Sequence, residues 1–266
     1  MKRMLLILVL FILLVSCSKE PEGGKPEVDD AVEAKSERDS LKVLIAEAEG
    51  GDALAQTRLG VMYIQGDGVL QDYEEASKWL TKSSEQGIAV AQCMLGAMYH
   101  EGQGVAQDYA EAFKWYTKAA DQGNADAQLV LGHMYRKGRG VPQDFDEAIN
   151  WYTKAANLGN TEALLQLGGM YIFGDGVAKD EKEAFKWWLK AAEQGNAVAQ
   201  KNVGLMYCDG TSVDEDYVEA YKWGILAEMN GGDITRLNLL LKGKLTAEQI
   251  AEAQKRADAF IKSKEQ

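Results

Sequence analysis

Residues 123–158 read GNADAQLVLGHMYRKGRGVPQDFDEAINWYTKAANL, and this stretch decides the fold. Moving the frame by 36 residues in either direction returns the same chemistry. Gly132 recurs as Gly60, Gly96, Gly168 and Gly204, and Tyr135 as Tyr63, Tyr99, Tyr171 and Tyr207. Ala148 recurs as Ala76, Ala112, Ala184 and Ala220, and Trp151 as Trp79, Trp115, Trp187 and Trp223. Five full copies span residues 51–230 without insertion. A fixed period of this length marks a solenoid, in which each unit buries its apolar face only against its neighbours.

Each copy splits into two helices. Over residues 124–137, Ala125, Gln128, Leu131, Gly132 and Tyr135 fall at helical spacing, which predicts helix A. Gly132 and its equivalents sit mid-helix, where glycine costs about 1 kcal/mol relative to alanine. Their recurrence predicts a close approach of the second helix. Met62, Met98, Met134, Met170 and Met206 share a slot suited to adaptable core packing. The turn Gly138-Arg139-Gly140-Val141 returns with both glycines at 66–69, 102–105 and 174–177. The fifth copy departs: Ser212 stands in the second glycine's place, a poor fit wherever φ must be positive. Helix B starts at an aspartate in every copy, with Glu three residues on (Asp72–Glu75, Asp108–Glu111, Asp144–Glu147, Asp180–Glu183, Asp216–Glu219). This is the spacing of a capping box. Paired carboxylates also suit acid–base chemistry, but repetition at five helix starts assigns these to capping. Helix B buries the Ala148 and Trp151 slots, then Ala155 and Ala156, and stops near Gly159.

Outside the repeats the pattern fades at both ends. Residues 36–50 are expected to form an N-terminal cap helix, with Val43 in the slot of Trp79. Residues 17–35, rich in charge, Pro and Gly, are expected to be a flexible tether. Residues 231–266 are expected to form C-terminal cap helices: 232–241 resembles a last helix A, and Thr246–Gln249 is a T-x-x-Q capping box. The second of these helices carries one apolar stripe of Ile250, Ala253, Ala257 and Ile261.

Residues 1–16 read as an export signal. Lys2 and Arg3 precede an apolar run of 12 residues, too short to span a bilayer and right for a secretory signal. The tail Leu14-Val15-Ser16-Cys17 resembles a bacterial lipobox, which implies cleavage before Cys17 and its lipidation. Ser18, not Asp, follows the cysteine, which by the same resemblance favours the outer membrane, facing the periplasm, over inner-membrane retention. Cleavage would leave 27 basic against 41 acidic residues, a net charge of −14. So acidic a chain lacks the broad basic stripe of a nucleic-acid binder. Cys93 and Cys208 lie three repeats apart, and stacked helices are separated by ~10 Å. Both are therefore expected to be unpaired, since a disulfide tolerates only about 7 Å between Cα atoms.

The A-x-A-Q-x-x-L-G-x-M-Y run, the G-x-G-V turn, the aspartate start and A-x-x-W together resemble the Sel-one-like repeat (SLR) family, relatives of tetratricopeptide repeats. The resemblance covers residues 51–230; Thr161 and Leu164 depart from it where other copies carry Ala and Gln. It implies an all-α fold, a right-handed α/α superhelical solenoid of five 36-residue repeats with helical caps, and the work of an adaptor for protein complexes. A cysteine-rich exported branch of the family is associated with penicillin binding and β-lactamase activity. Its repeats each carry a cysteine pair that this chain lacks.

Little chemistry is written elsewhere. His100-Glu101 begins like H-E-x-x-H, but Gly104 stands where the second histidine is needed, so no zinc pair results. The S-x-x-K from Ser16 to Lys19 straddles the cleavage point, and no K-T-G follows. No cofactor or metal is expected. The variable slots of helix A are the candidate partner-binding positions along a groove. They include Asp126, Val130, His133 and Lys137 in the third copy, Met94 and Glu101 in the second, and Gln166 and Phe173 in the fourth. His133, Arg136, Lys137 and Arg139 form a basic cluster in an acidic chain, suited to clamping an acidic segment or a peptide carboxylate. The leading expectation is a lipid-anchored, non-enzymatic scaffold that binds a peptide or envelope protein. A β-lactam-active enzyme and a cell-wall-binding module are the alternatives.

Overall fold

The computed structural model describes residues 30–210 and 212–265, with side chains from residue 39 onward. The signal segment 1–16, Cys17 and the tether up to residue 29 lie outside the described residues, as does Thr211. Among the described residues the chain is all-helical. It divides into two compact units, one up to Gln143 and one from Asp144 onward.

The first unit holds α1 (Asp30–Glu49), α2 (Ala53–Gln65), α3 (Tyr73–Glu85), α4 (Ala89–Glu101), α5 (Tyr109–Asp121) and α6 (Ala125–Lys137). The second holds α7 (Phe145–Asn157), α8 (Thr161–Phe173), α9 (Glu181–Glu193), α10 (Ala197–Asp209), α11 (Tyr217–Met229), α12 (Thr235–Leu241) and α13 (Ala247–Lys264). Helices A and B of the repeats alternate through both. The N-terminal cap helix starts at Asp30, inside the stretch expected as tether. Val43, in the tryptophan slot, is 58% exposed, while Ala48 is buried against Ala55 and Leu59.

Mid-helix glycines are forced by contact. A Cβ on Gly60 would sit 2.7 Å from Leu80 Cγ, and one on Gly168 would sit 2.3 Å from the Trp188 ring. The helix-B residue twenty positions on thus fills the space the glycine leaves. In the fifth copy that residue is itself Gly224, and Leu237 of α12 enters instead, within 2.9 Å of a Cβ built on either Gly204 or Gly224. Leu237 is fully buried with Ile234 and Leu241, so α12 seals the last pair by one face.

The helix-B starts behave as half of a capping box. Asp72, Asp108, Asp144, Asp180 and Asp216 are N-caps whose carboxylates accept backbone N–H groups of the first turn. The reciprocal half differs from expectation. The N–H groups of Asp72, Asp108, Asp180 and Asp216 donate to the carbonyls of Tyr63, Tyr99, Tyr171 and Tyr207 on the preceding helix. That bond leaves the N3 glutamate free to pair with a lysine one turn on, as Glu75 does with Lys78, Glu111 with Lys114, Glu183 with Lys186 and Glu219 with Lys222. Thr246–Gln249 does close a full capping box at α13. On α13, Ala253 and Ala257 are buried and Phe260 meets Trp223 edge-on at 5.4 Å, but Ile250 is 43% exposed and leaves the expected stripe.

A carboxamide ladder ties copies together. Gln56, Gln92, Gln128 and Gln200 donate to the carbonyls of Ala48, Ser84, Ala120 and Ala192. Three of them also accept from a carboxamide thirty residues on, Gln86, Gln122 and Asn230. The fourth copy carries Leu164 at this slot.

The turns lock adjacent copies. Gly104 and Gly140 have φ of +67° and +75°, and a Cβ on either would fall 2.0 and 2.4 Å from the carbonyl oxygens of Tyr73 and Tyr109. Gly176 meets the Phe145 ring in the same way. No described non-glycine residue has positive φ, so Ser212 takes another backbone path. The aromatic slot changes with it: Glu181 stands where Tyr73, Tyr109 and Phe145 stand.

Candidate partner-binding site

The site is built in the first unit, where the C-terminal ends of α4 and α6 meet the start of α5. Helix α6 ends at Gly138 in the left-handed region (φ 62°), and the Arg139 N–H returns to the Met134 carbonyl at 3.0 Å. Gln143 Nε2 donates to the Arg136 carbonyl at 2.8 Å, fixing the turn from its far side. With Gly140 seated on Tyr109, Arg139 is carried over the Tyr109 ring, its guanidinium carbon 5.9 Å from the centroid. Tyr109 is itself held: His100 meets its ring at 5.0 Å, near-perpendicular, and Gln107 Nε2 donates to its hydroxyl at 3.2 Å. His100 Nδ1 lies 3.1 Å from Glu101 Oε1.

His133 is half-buried one helical turn before Arg136 and Lys137. Burial, then Lys137, Arg136 and His100, hold its pKa down to about 4. It is therefore neutral at neutral pH, so the positive charge of the expected cluster comes from Arg136, Lys137 and Arg139 alone. Lys137 is exposed; Arg136 and Arg139 are half-buried. Between residues 127 and 143 there is no acidic side chain. The arrangement sets Arg139 over an aromatic ring and Lys137 and Arg136 near a half-buried imidazole, a concentration of positive charge that suits a carboxylate.

The other candidates divide. Glu101 is exposed and borders the site through His100. Asp126 lies on α6 eleven residues before Lys137, about 16 Å along the helix, and with burial it raises the Cys93 thiol pKa. Met94 and Val130 correct the groove expectation: at 0% and 6% exposure they are core residues, Met94 packed with Ile64, Leu95 and Met98. Their slot lies at the middle of helix A and is buried in the second and third copies, while Gln166 holds it half-exposed in the fourth. In the second unit, Gln166 donates to Glu162 at 2.6 Å, and Phe173 is 82% exposed at the end of α8. Sequence reasoning missed Tyr109, His100 and Gln143 as parts of the site. The signal was present: Tyr109 holds the aromatic slot that faces the second turn glycine. Both Cys93 and Cys208 are free thiols. Among the described residues no group of three or more His, Cys, Asp and Glu is placed to hold a metal ion. No helix among them is long and apolar enough to cross a membrane.

A family model described as the Sel1 repeat matches residues 53–88, 89–124, 125–160, 161–196 and 197–232, two residues later than the frame read from the sequence. No curated protein matches. Among solved structures, a protective antigen present in uropathogenic Escherichia coli strains and displaying an SLR fold is 36% identical with a TM-score of 0.75. The match covers 82% of this chain but 48% of that one, so the chain spans about half its length. A Sel1 repeat protein from Oxalobacter formigenes is 32% identical with a TM-score of 0.69, over 88% of this chain and 98% of that one.

Proposed function

Because this chain belongs to the Sel1-repeat family, whose members are generally protein-interaction scaffolds, we propose that it is a non-enzymatic adaptor that captures an acidic segment of a partner protein at the end of α6. The observation that carries this reading is the acid-free stretch 127–143 in a chain of net charge −12, with Arg139 over the Tyr109 ring and Lys137 and Arg136 near His133. Charge-assisted hydrogen bonds from guanidinium and ammonium groups are roughly twice as strong as neutral ones. The rigid backing of Arg139 by the Gly140–Tyr109 contact lowers the ordering cost of binding. The invariant residues build the scaffold and leave little for catalysis.

The sequence at Leu14–Cys17 supports a further part of the proposal: the adaptor is lipid-anchored through Cys17, at the outer membrane and facing the periplasm. Several acyl chains hold a protein stably where one does so only marginally. Crosslinking in intact cells followed by mass spectrometry tests both parts. It is expected to recover one partner through peptides adjacent to Lys137, and an acylated N-terminus at Cys17. An unchanged partner in the Arg136→Glu/Lys137→Glu protein would sink the first part; an intact Met1 would sink the second. Turnover of a chromogenic cephalosporin, abolished by a point substitution, would overturn the non-enzymatic reading.

A further inference from the structure

Helix α12 presents two apolar faces. Leu237 and Leu241 point inward and are 0% and 6% exposed. Leu239 and Leu240 point outward and are 72% and 40% exposed. A helix apolar on both faces is normally buried on both. Arg236 is three and four residues before these outward leucines, so all three share one face. Lys242 and Lys244 follow immediately, exposed, and Lys244 also donates to the Tyr217 hydroxyl at 3.2 Å. From residue 234 to 247 there is no acidic side chain; Asp233, at the near edge, is engaged by Thr235.

We propose that this surface rests on an anionic phospholipid bilayer, with Leu239 and Leu240 entering the headgroup region and Arg236, Lys242 and Lys244 pairing with lipid phosphates. Adjacent leucines flanked by long cationic side chains match the pattern of interfacial segments, in which apolar contact and attraction to anionic lipid add. Arg236 and Lys242 lie on flexible stems beside a protruding pair of leucines, while Lys244 is held over the Tyr217 ring, 5.1 Å from its centroid. That arrangement suits a laterally mobile surface of phosphates better than one fixed carboxylate. The choice of a bilayer over another acidic surface rests on the lipid-anchored reading above.

The test uses the full chain with an environment-sensitive dye on Asn238→Cys in a Cys208→Ser background; Cys93 is 2% exposed, and mass spectrometry selects chains that carry no dye on Cys17. It is mixed with phosphatidylcholine vesicles with or without phosphatidylglycerol, and sedimentation and dye emission are read separately. The expected result is a blue shift with phosphatidylglycerol alone, and none from a dye on Asn157→Cys. In Arg236→Gln/Lys242→Gln/Lys244→Gln the ratio of shifted to unshifted dye on vesicle-bound chain should fall about 100-fold, from ~1 kcal/mol per cation near the surface. Leu239→Asn/Leu240→Asn should remove the shift while sedimentation persists. Sedimentation with an unshifted dye overturns the proposal and leaves the anchor standing. A shift confined to anionic vesicles in a chain that otherwise stays in solution supports it and overturns the anchor. A dye silent on vesicles but shifted by poly-glutamate overturns it in favour of an acidic protein partner.

Discussion

Residues 127–143 and 234–247 carry the same charge and each sets a cation over a tyrosine ring, Arg139 on Tyr109 and Lys244 on Tyr217, but their turns are packed differently. Each lacks acidic side chains, carries three cations and contains a glycine at φ +75°, Gly140 in one and Gly243 in the other. Around Gly140, Tyr109 backs the turn and Arg139 is held over its ring. Around Gly243 nothing lies within 4 Å of a built Cβ, and the nearby Leu239 and Leu240 face water. Net charge therefore says that each stretch prefers an anion, while packing decides what kind. A turn packed under its cations suits a ligand of defined geometry, and an open turn beside protruding leucines suits an extended surface.

The contrast breaks first at the glycines. Gly140→Ala places a Cβ 2.4 Å from the Tyr109 carbonyl oxygen in addition to the backbone strain. Urea unfolding should show a loss of about 3 kcal/mol or more; a loss below ~1 kcal/mol would mean that the turn does not buttress the site. Next comes pH. His133 has a folded pKa near 4 against an ordinary 6.5, so the unfolded chain takes up its proton first as pH falls. The stability this group contributes is fully present above pH 6.5 and is lost between 6.5 and 4, a change of order 3 kcal/mol. Denaturation across that range should show His133→Gln flattened by this amount relative to the parent chain. No histidine lies in 234–247, so Arg236→Gln should leave the profile unmoved.

Smaller effects sharpen the comparison further. Arg136→Glu/Lys137→Glu should weaken binding of a poly-glutamate peptide, read by fluorescence anisotropy, about 30-fold, corresponding to ~2 kcal/mol. Its dye response to anionic vesicles should stay at the parental level; a parallel loss would merge the two surfaces into one. Smallest is Gly243→Ala, where only backbone strain is felt. Thermal or urea unfolding should show about 1 kcal/mol, a third of the Gly140 effect from the same dihedral angle.

Most of the fold was legible because five copies repeat the same solution. A lone glycine in a helix is ambiguous, whereas one returning at Gly60, Gly96, Gly168 and Gly204 reports a contact, and the contact is there. The reciprocal half of the capping box was misread because the competing acceptor, a tyrosine carbonyl nine residues earlier, becomes a neighbour only after the helices pair. Met94 and Val130 were assigned to the groove because variability between copies looks the same for an exposed residue and for a core residue in changing surroundings. The basic cluster was legible as charge. The neutral state of His133 was not, since it depends on burial and on two cations one turn away. Ile250 failed for a simpler reason: a stripe of apolar residues does not say how far the partner helix extends.

The carboxamide ladder has a consequence for how such a chain changes its length. Its bonds reach back eight residues to a carbonyl and forward thirty to another carboxamide, and both reaches fit within the 36-residue period. Gain or loss of one whole period by unequal recombination therefore returns each such donor to an equivalent acceptor. A gain or loss of another size between two paired carboxamides, such as Gln92 and Gln122, moves them out of reach of each other. Mutation is thus free to count in whole repeats and is penalised for fractions wherever the ladder runs.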